Sequence, residues 1–133
     1  MRTSPNIMVK TEKMIIEFLE DDLVHIKVLE GMEVTVDDIQ KMEEVVEEQG
    51  GGRPYRNLIV AENYVTTTFK TVRYMGTEEA NRLTIADAFV INSLPQRIMA
   101  NFYLNVVKPL KPTKFFKTEE EAFSWLKQFE LQK

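Results

Sequence analysis

The chain has 133 residues, with 17 lysines and arginines against 21 aspartates and glutamates, one histidine and no cysteine. That length suits one domain with its own core, and the missing cysteines exclude disulfides, thiol catalysis, iron–sulfur clusters and Cys-ligated zinc. A formal charge of −4 argues against a nucleic-acid partner, and with His25 alone no multi-histidine metal site can form, so neither metal nor other cofactor is expected.

Residues 1–10 are too polar for a signal-peptide apolar region. The longest apolar runs, such as Phe89-Val90-Ile91, fall far short of the ~20 residues that span a bilayer. No transmembrane segment and a cytoplasmic location are the expectations. Charge is uneven: residues 1–67 sum to −7 and residues 68–133 to +3. Much of the acidic excess lies in Glu43, Glu44, Glu47 and Glu48, which read as a solvated helix face, with a docking surface for a basic partner as the alternative.

Taken in order, residues 13–20 and 23–30 are strand-like and joined by Asp21-Asp22, which predicts an antiparallel hairpin. Val24, Ile26 and Val28 alternate with His25 and Lys27, so His25 is expected on the surface or at the hairpin edge. That edge is open to pairing with a second copy in a homodimer, and Lys27 and Glu30 are the charges that blunt it. Residues 35–48 predict a helix, capped by Thr35, with Asp37 and Asp38 in its first turn and Ile39, Met42, Val45 and Val46 at helical spacing. Gly50 suits the stop. The triplet Gly50-Gly51-Gly52 follows a helix and precedes no Gly-Lys-Ser/Thr, so it is no phosphate loop.

Residues 56–62 predict a central strand. Residues 69–82 read as helical, broken at Gly76-Thr77 with Thr77 recapping, and residues 84–91 as a strand. Ser93 caps the next helix with Pro95 in its first turn. Ile98, Met99, Phe102 and Val106 share one face, and Lys108-Pro109 ends it. Residues 113–117 predict a last strand. Thr118 with Glu121 forms a capping box for a terminal helix whose Ala122, Trp125, Leu126 and Phe129 face inward. The result is an α/β fold: one mixed sheet of about five strands, antiparallel in its first hairpin and otherwise mainly parallel, with about four helices.

Nothing marks an enzyme, and no catalytic residue is expected. His25 has no nucleophile partner, and most of the carboxylates sit in first turns where caps and dipoles explain them. The favoured binding site lies beyond the carboxyl end of the third predicted strand, where α/β sheets gather ligands and partners. It comprises Thr66, Thr67 and Thr68 before a helix, then Lys70 and Arg73. Amides at a helix start suit an anion or a phosphorylated hydroxyl; the plainer alternative is that one threonine caps and the others fill a strand. Lys108, Lys111 and Lys114, interleaved with Pro109 and Pro112, make a basic connection able to meet an acidic partner or headgroup, or simply a solvated loop. Phe89, Phe102, Tyr103, Phe115, Phe116, Phe123, Trp125 and Phe129 read as core, with an apolar pocket among them as the alternative.

The element order resembles the STAS domain of bacterial anti-sigma-factor antagonists. A second likeness lies in Ser93-Leu94-Pro95-Gln96-Arg97, Asn101-Phe102-Tyr103-Leu104, Lys108-Pro109, Pro112-Thr113-Lys114-Phe115-Phe116 and Glu119-Glu120-Glu121-Ala122-Phe123-Ser124-Trp125-Leu126. These are similar to an uncharacterised STAS-like group within a class that includes CRAL-TRIO-type lipid-transfer domains. The resemblance implies a non-catalytic regulatory module with a protein partner, itself a regulator, docking on the Thr66–Thr68 corner and the helix after it. Antagonists carry a phosphorylatable Asp-Ser-(Ser/Thr)-Gly after the third strand. Here Glu62-Asn63-Tyr64-Val65-Thr66-Thr67 stands instead, leaving Thr66 or Thr67 to take that place. The rival reading is a domain that binds a small apolar ligand or lipid, with the aromatics and the seven methionines lining its cavity.

Overall fold

The computed structural model describes residues 7–20 and 22–130. In chain order the strands are β1 (Met8–Lys10), β2 (Met14–Glu20), β3 (Leu23–Val28), β4 (Glu33–Val34), β5 (Tyr55–Ala61), β6 (Thr66–Thr67), β7 (Thr84–Val90) and β8 (Thr113–Phe116). The helices are α1 (Val36–Gly50), α2 (Phe69–Met75), α3 (Leu94–Phe102) and α4 (Glu119–Leu126). The main sheet runs β1-β2-β3-β5-β7-β8, antiparallel through β3 and parallel from there on, while β4 and β6 make a separate parallel pair.

The hairpin forms as expected, with Ile16 opposite Ile26 and Glu17 opposite His25; of its turn residues, Asp21 lies outside the described residues. Two expectations about its edge need correction. The short β1 pairs along β2, so β2 is not an edge, and Lys27 lies on β3, an inner strand, where its ammonium stands 3.8 Å from Glu62. Three residues with weak alternation carry too little signal to be seen as a strand.

Strand alternation divides the core between the two faces of the sheet. One face presents Met14, Ile16, Phe18, Val24, Ile26 and Val28, packed with Val46 of α1. The other presents Leu58, Val60, Ala86, Ala88 and Val90, covered by Ala122 and Leu126 of α4. Alanines at 86 and 88 let α4 lie close. On that second face Arg56 is 1% exposed. Its guanidinium donates to Asp22 Oδ2 and Oδ1 (3.1 and 2.7 Å), to Glu20 Oε1 (3.1 Å) and to the Leu126 carbonyl (3.1 Å). One side chain thus fastens the hairpin turn and the end of α4 to β5. His25 adds a tie at the other end of α4, its Nε2 2.8 Å from Glu119 Oε1. It therefore faces α4 from an inner strand rather than lying at an edge.

Local chemistry sets the helix ends. The Thr35 hydroxyl accepts from the Asp38 amide at 3.3 Å, and the Thr35 amide donates to Asp38 Oδ2 at 2.8 Å, a complete capping box. Lys13 joins it, donating to the same oxygen at 2.8 Å. Burial acts to raise the Asp38 carboxyl, but Lys13 and Thr35 outweigh it and hold it below its ordinary value. α1 stops one residue later than expected, on left-handed Gly51 (φ 67°). Gly50 lies against the Tyr55 ring with no room for a Cβ. α2 ends at Met75, and Thr77 caps only a turn, its hydroxyl accepting from the Ala80 amide at 3.2 Å. α3 continues into a π-helical turn, Tyr103–Val107, closed by the Lys108 amide on the Tyr103 carbonyl at 2.7 Å. Lys108 itself adopts φ 67°.

Candidate functional site

The site begins with a disparity between the two faces. Alanine and leucine close the α4 side, but on the other side α1, α2 and α3 arch over β3, β5 and β7 and leave a cavity of about 250 Å³. Its floor is Ile26, Val28, Ile59, Ala61 and Phe89, and Phe115 of β8 extends it. Its roof includes Met42 of α1, Val72 and Met75 of α2, and Met99, Ala100 and Tyr103 from α3 and its π turn. Methionine fills irregular space adaptably.

Glu43, Asn57, Asn81, Thr84 and Asp87 are polar members of the chamber's lining, together with Thr66, Thr67 and Gln96. A recess of about 40 Å³ shares Glu43, Asn57 and Thr84 with it. Asp87 points to the cavity face because its neighbours Ala86 and Ala88 belong to the α4 face. It is 9% exposed, and Asn57 Nδ2 donates to its Oδ1 at 2.9 Å. Among the described residues Oδ2 accepts no hydrogen bond. Burial pushes the Asp87 carboxyl up to about 6, against the smaller opposing pull of Asn57. The Tyr103 phenol donates to the Met75 carbonyl at 3.1 Å and is raised by burial first and by the nearby Asp87 charge second.

Glu43 departs from its expected place on a solvated face. It turns in from α1, and its Oε1 accepts from the Tyr74 hydroxyl at 2.8 Å, with Arg82 Nη1 at 3.6 Å. Among the described residues its buried Oε2 has no hydrogen-bond partner. Burial raises Glu43 despite Tyr74 and Arg82, and burial followed by the Glu43 hydrogen bond pushes Tyr74 up to about 12. Of the other three acids, Glu47 is bonded to Arg82 at 2.7 Å, while Glu44 and Glu48 are exposed. Among the described residues no lysine, arginine or histidine lines the main chamber. Among the described residues no group of three or more His, Asp or Glu is placed to hold a metal ion.

The sequence-predicted residues lie at the rim of this cavity and beyond it. Thr66 and Thr67 line it from β6. Thr66 is exposed and its backbone pairs with Glu33. The Thr67 hydroxyl donates to the Val34 carbonyl at 2.7 Å. Thr68 caps α2, accepting from the Thr71 amide at 3.3 Å, with the Thr71 hydroxyl 3.1 Å away. Two of the three hydroxyls therefore have structural duties. Lys70 is exposed on α2, and the Arg73 guanidinium lies 5.1 Å from the centre of the Phe102 ring. The buried Gln96 fastens this corner from α3, donating to the Val65 and Glu62 carbonyls at 3.0 and 3.2 Å.

The aromatics divide as the faces do. Phe89, Tyr103 and Phe115 meet at the cavity, with Phe89 and Phe115 stacked at 4.8 Å. Phe116, Trp125 and Phe129 form a chain on the α4 face. The predicted apolar face of α3 splits: Met99 turns into the chamber, whereas Ile98 and Val106 are exposed. In the basic connection, Lys114 sits 5.6 Å over Phe116, and the Pro112 carbonyl accepts from the Asp87 amide at 2.9 Å. Sequence reasoning missed Asp87, Asn57 and Glu43. The signal for Asp87 was a charge at the centre of an otherwise apolar strand, residues 84–91.

No described helix is long and apolar enough to cross a membrane. Among solved structures, the chain is similar to an uncharacterised protein of the DUF3478 family with a SpoIIAA-like fold from Shewanella loihica PV-4. The two share 18% identity and a TM-score of 0.53 over 95% of this chain and 98% of that one. The fold is thus SpoIIAA-like, which is the STAS-like architecture. No curated protein matches the sequence. A family model described as a domain of unknown function, DUF7793, matches residues 17–130, and the chain belongs to that family.

Proposed function

We propose that this domain is a non-catalytic binding module that holds a small, largely apolar molecule between its sheet and α1–α3. The observation that carries the reading is the chamber of about 250 Å³, walled by methionine, aromatic and aliphatic side chains. Well-packed interiors hold few voids larger than a water, and ligand sites are concave, mostly apolar and marked by a few polar groups. At ~30 Å³ per water-sized unit the space suits about eight to ten non-hydrogen atoms. Among the described residues that line it there is no serine, cysteine or histidine. Binding in place of turnover is the activity this arrangement supports.

The test is native mass spectrometry of protein purified from its own cells. An added small apolar mass is expected, and it should disappear in Ala100→Phe, which fills the chamber from α3. A clean unliganded mass, together with no binding of medium-chain alcohols by the purified protein, overturns the reading.

A second reading is favoured by a separate observation. Phe69 of α2 and Leu94 and Ile98 of α3 are 50, 61 and 48% exposed beside the Thr66–Thr68 corner. No acidic residue occurs between Asp87 and Glu119, a stretch that carries Arg97, Lys108, Lys111, Lys114 and Lys117. An apolar surface beside basic side chains suits a protein partner with an acidic rim. In this reading the domain is a cytoplasmic regulatory module. Affinity capture with the wild type and with Phe69→Ser/Ile98→Ser compares the two surfaces. A partner lost with the double substitution supports the docking surface, and equal recovery by both proteins removes it.

A further inference from the structure

We propose that the cavity selects a ligand with a protonated amine head: a small aliphatic amine whose ammonium is held by Asp87 and whose chain lies along the methionine wall. The inference rests on the proposed function and sharpens it from an apolar molecule to a cationic amphiphile.

The argument starts from what each buried polar group lacks. Asp87 is at least nine-tenths buried and lines the chamber, and among the described residues its carboxylate accepts one hydrogen bond, from the neutral amide of Asn57. Its Oδ2 is left to the cavity. Glu43 brings a second carboxyl to the chamber wall, and among the described residues its buried Oε2 has no hydrogen-bond partner. Buried polar atoms in folded proteins are almost always bonded, so Glu43 Oε2 is a specific deficit in the chamber wall, and Asp87 Oδ2 is an acceptor left open to the chamber. What they lack is a donor. Arg82 compensates Glu43 from the recess side, through Nη1 at 3.6 Å from Oε1. Asp87 has no such cation among the described residues, because none of their basic side chains lines the main chamber.

A ligand's head group would therefore face acceptors of negative charge. A carboxylate or phosphate head would place like charges together in a low-dielectric space. An alcohol supplies one donor. An ammonium supplies three donors and the missing charge, so it completes both the hydrogen bonding and the electrostatics of the site. The apolar lining takes the remaining carbons, and the volume sets a chain of about eight.

Three eight-carbon probes separate head-group selection from simple apolar binding. Calorimetric titration at pH 7.5 with octylamine, octanol and octanoate is expected to show octylamine binding at least tenfold tighter than octanol, with octanoate weakest. In Asp87→Asn, a nearly isosteric change checked for folding by circular dichroism, the ratio of amine to alcohol affinity should fall toward one. Octanol binding as tightly as octylamine, octanoate binding tightest, or an amine preference that survives Asp87→Asn overturns this inference and leaves the apolar-binding proposal standing. Failure of all three probes to bind overturns both.

Discussion

The two faces of one sheet treat a buried charge in opposite ways. On the α4 face Arg56 is fully enclosed, and carboxylates and a carbonyl meet its donors at 2.7–3.1 Å. On the α1–α3 face Asp87 is nearly as enclosed, yet one neutral amide is its recorded partner. Packing follows the same division: Ala86, Ala88, Ala122 and Leu126 are at 0% exposure against one another, while the other face keeps its chamber. A completed charge network holds elements together. Under the proposed function, the α4 face is the scaffold, and the uncompleted charge beside the cavity marks the α1–α3 face as the working side.

Substitutions can break this comparison, and the largest effect is expected at Arg56. Arg56→Ala removes the guanidinium that ties Asp22, Glu20 and the Leu126 carbonyl together, and should cost about 3–5 kcal/mol in equilibrium urea unfolding. A loss below ~1 kcal/mol would deny the network its role.

Asp87 should respond in the opposite direction. Its folded-state value is about 6 against an ordinary 3.8, so the folded protein binds that proton more readily than the unfolded chain. The penalty for its charge is therefore absent below pH ~4 and grows as pH rises through 6, reaching about 3 kcal/mol for a two-unit rise. Asp87→Asn should remove it, giving a variant more stable than the wild type at pH 7.5 by up to about 3 kcal/mol and level with it near pH 4. Glu43, also raised, tilts the whole curve the same way, and Asp38, held low, tilts it back. The difference between the two proteins isolates Asp87. A variant less stable than the wild type at pH 7.5 contradicts the account.

A matched pair of alanines sharpens the contrast in packing. Ala86→Leu overfills the α4 face and should cost about 1–3 kcal/mol. Ala100→Leu enters the chamber and should be neutral or stabilising by ~1 kcal/mol while weakening ligand binding. Thermal unfolding of both variants checks the signs. The smallest effects fall at the threonine corner. Thr68→Ala removes the α2 cap and should cost ~1 kcal/mol, and Thr66→Ala, exposed on β6, should stay within ~0.5 kcal/mol.

Much of the architecture was legible because the signals were local. Thr35, Thr68, Ser93 and Thr118 each cap a helix, and the alternation of Val24, Ile26 and Val28 set which way His25 faces. The short β1 and the β4–β6 pair escaped because two or three residues carry no periodicity; β4 and β6 exist through pairing between residues 33 residues apart. The apolar stripe of α3 misled because a helical pattern does not say whether a neighbour covers it, and Ile98 and Val106 have none that does. The threonine corner was found as a rim, but the chamber beneath it was not. Asp87 on β7 and Glu43 on α1 both line the pocket, and a list of acids along the chain gives no sign that two of them share it. A single charge within the run from Thr84 to Val90 was the one available hint, since a strand buried on both faces seldom carries a carboxylate without a use.

The methionines offer the most direct measurement. Met14, Met42, Met75 and Met99 line the chamber, whereas Met8 and Met32 do not. With methyl-labelled methionine, a titration by whichever of octylamine and octanol binds more tightly should give saturable NMR shifts at the four lining methyls and leave Met8 and Met32 in place. Shifts confined to Met8 and Met32, or saturable binding that moves none of the four, would contradict the claim that this face of the sheet is the ligand site.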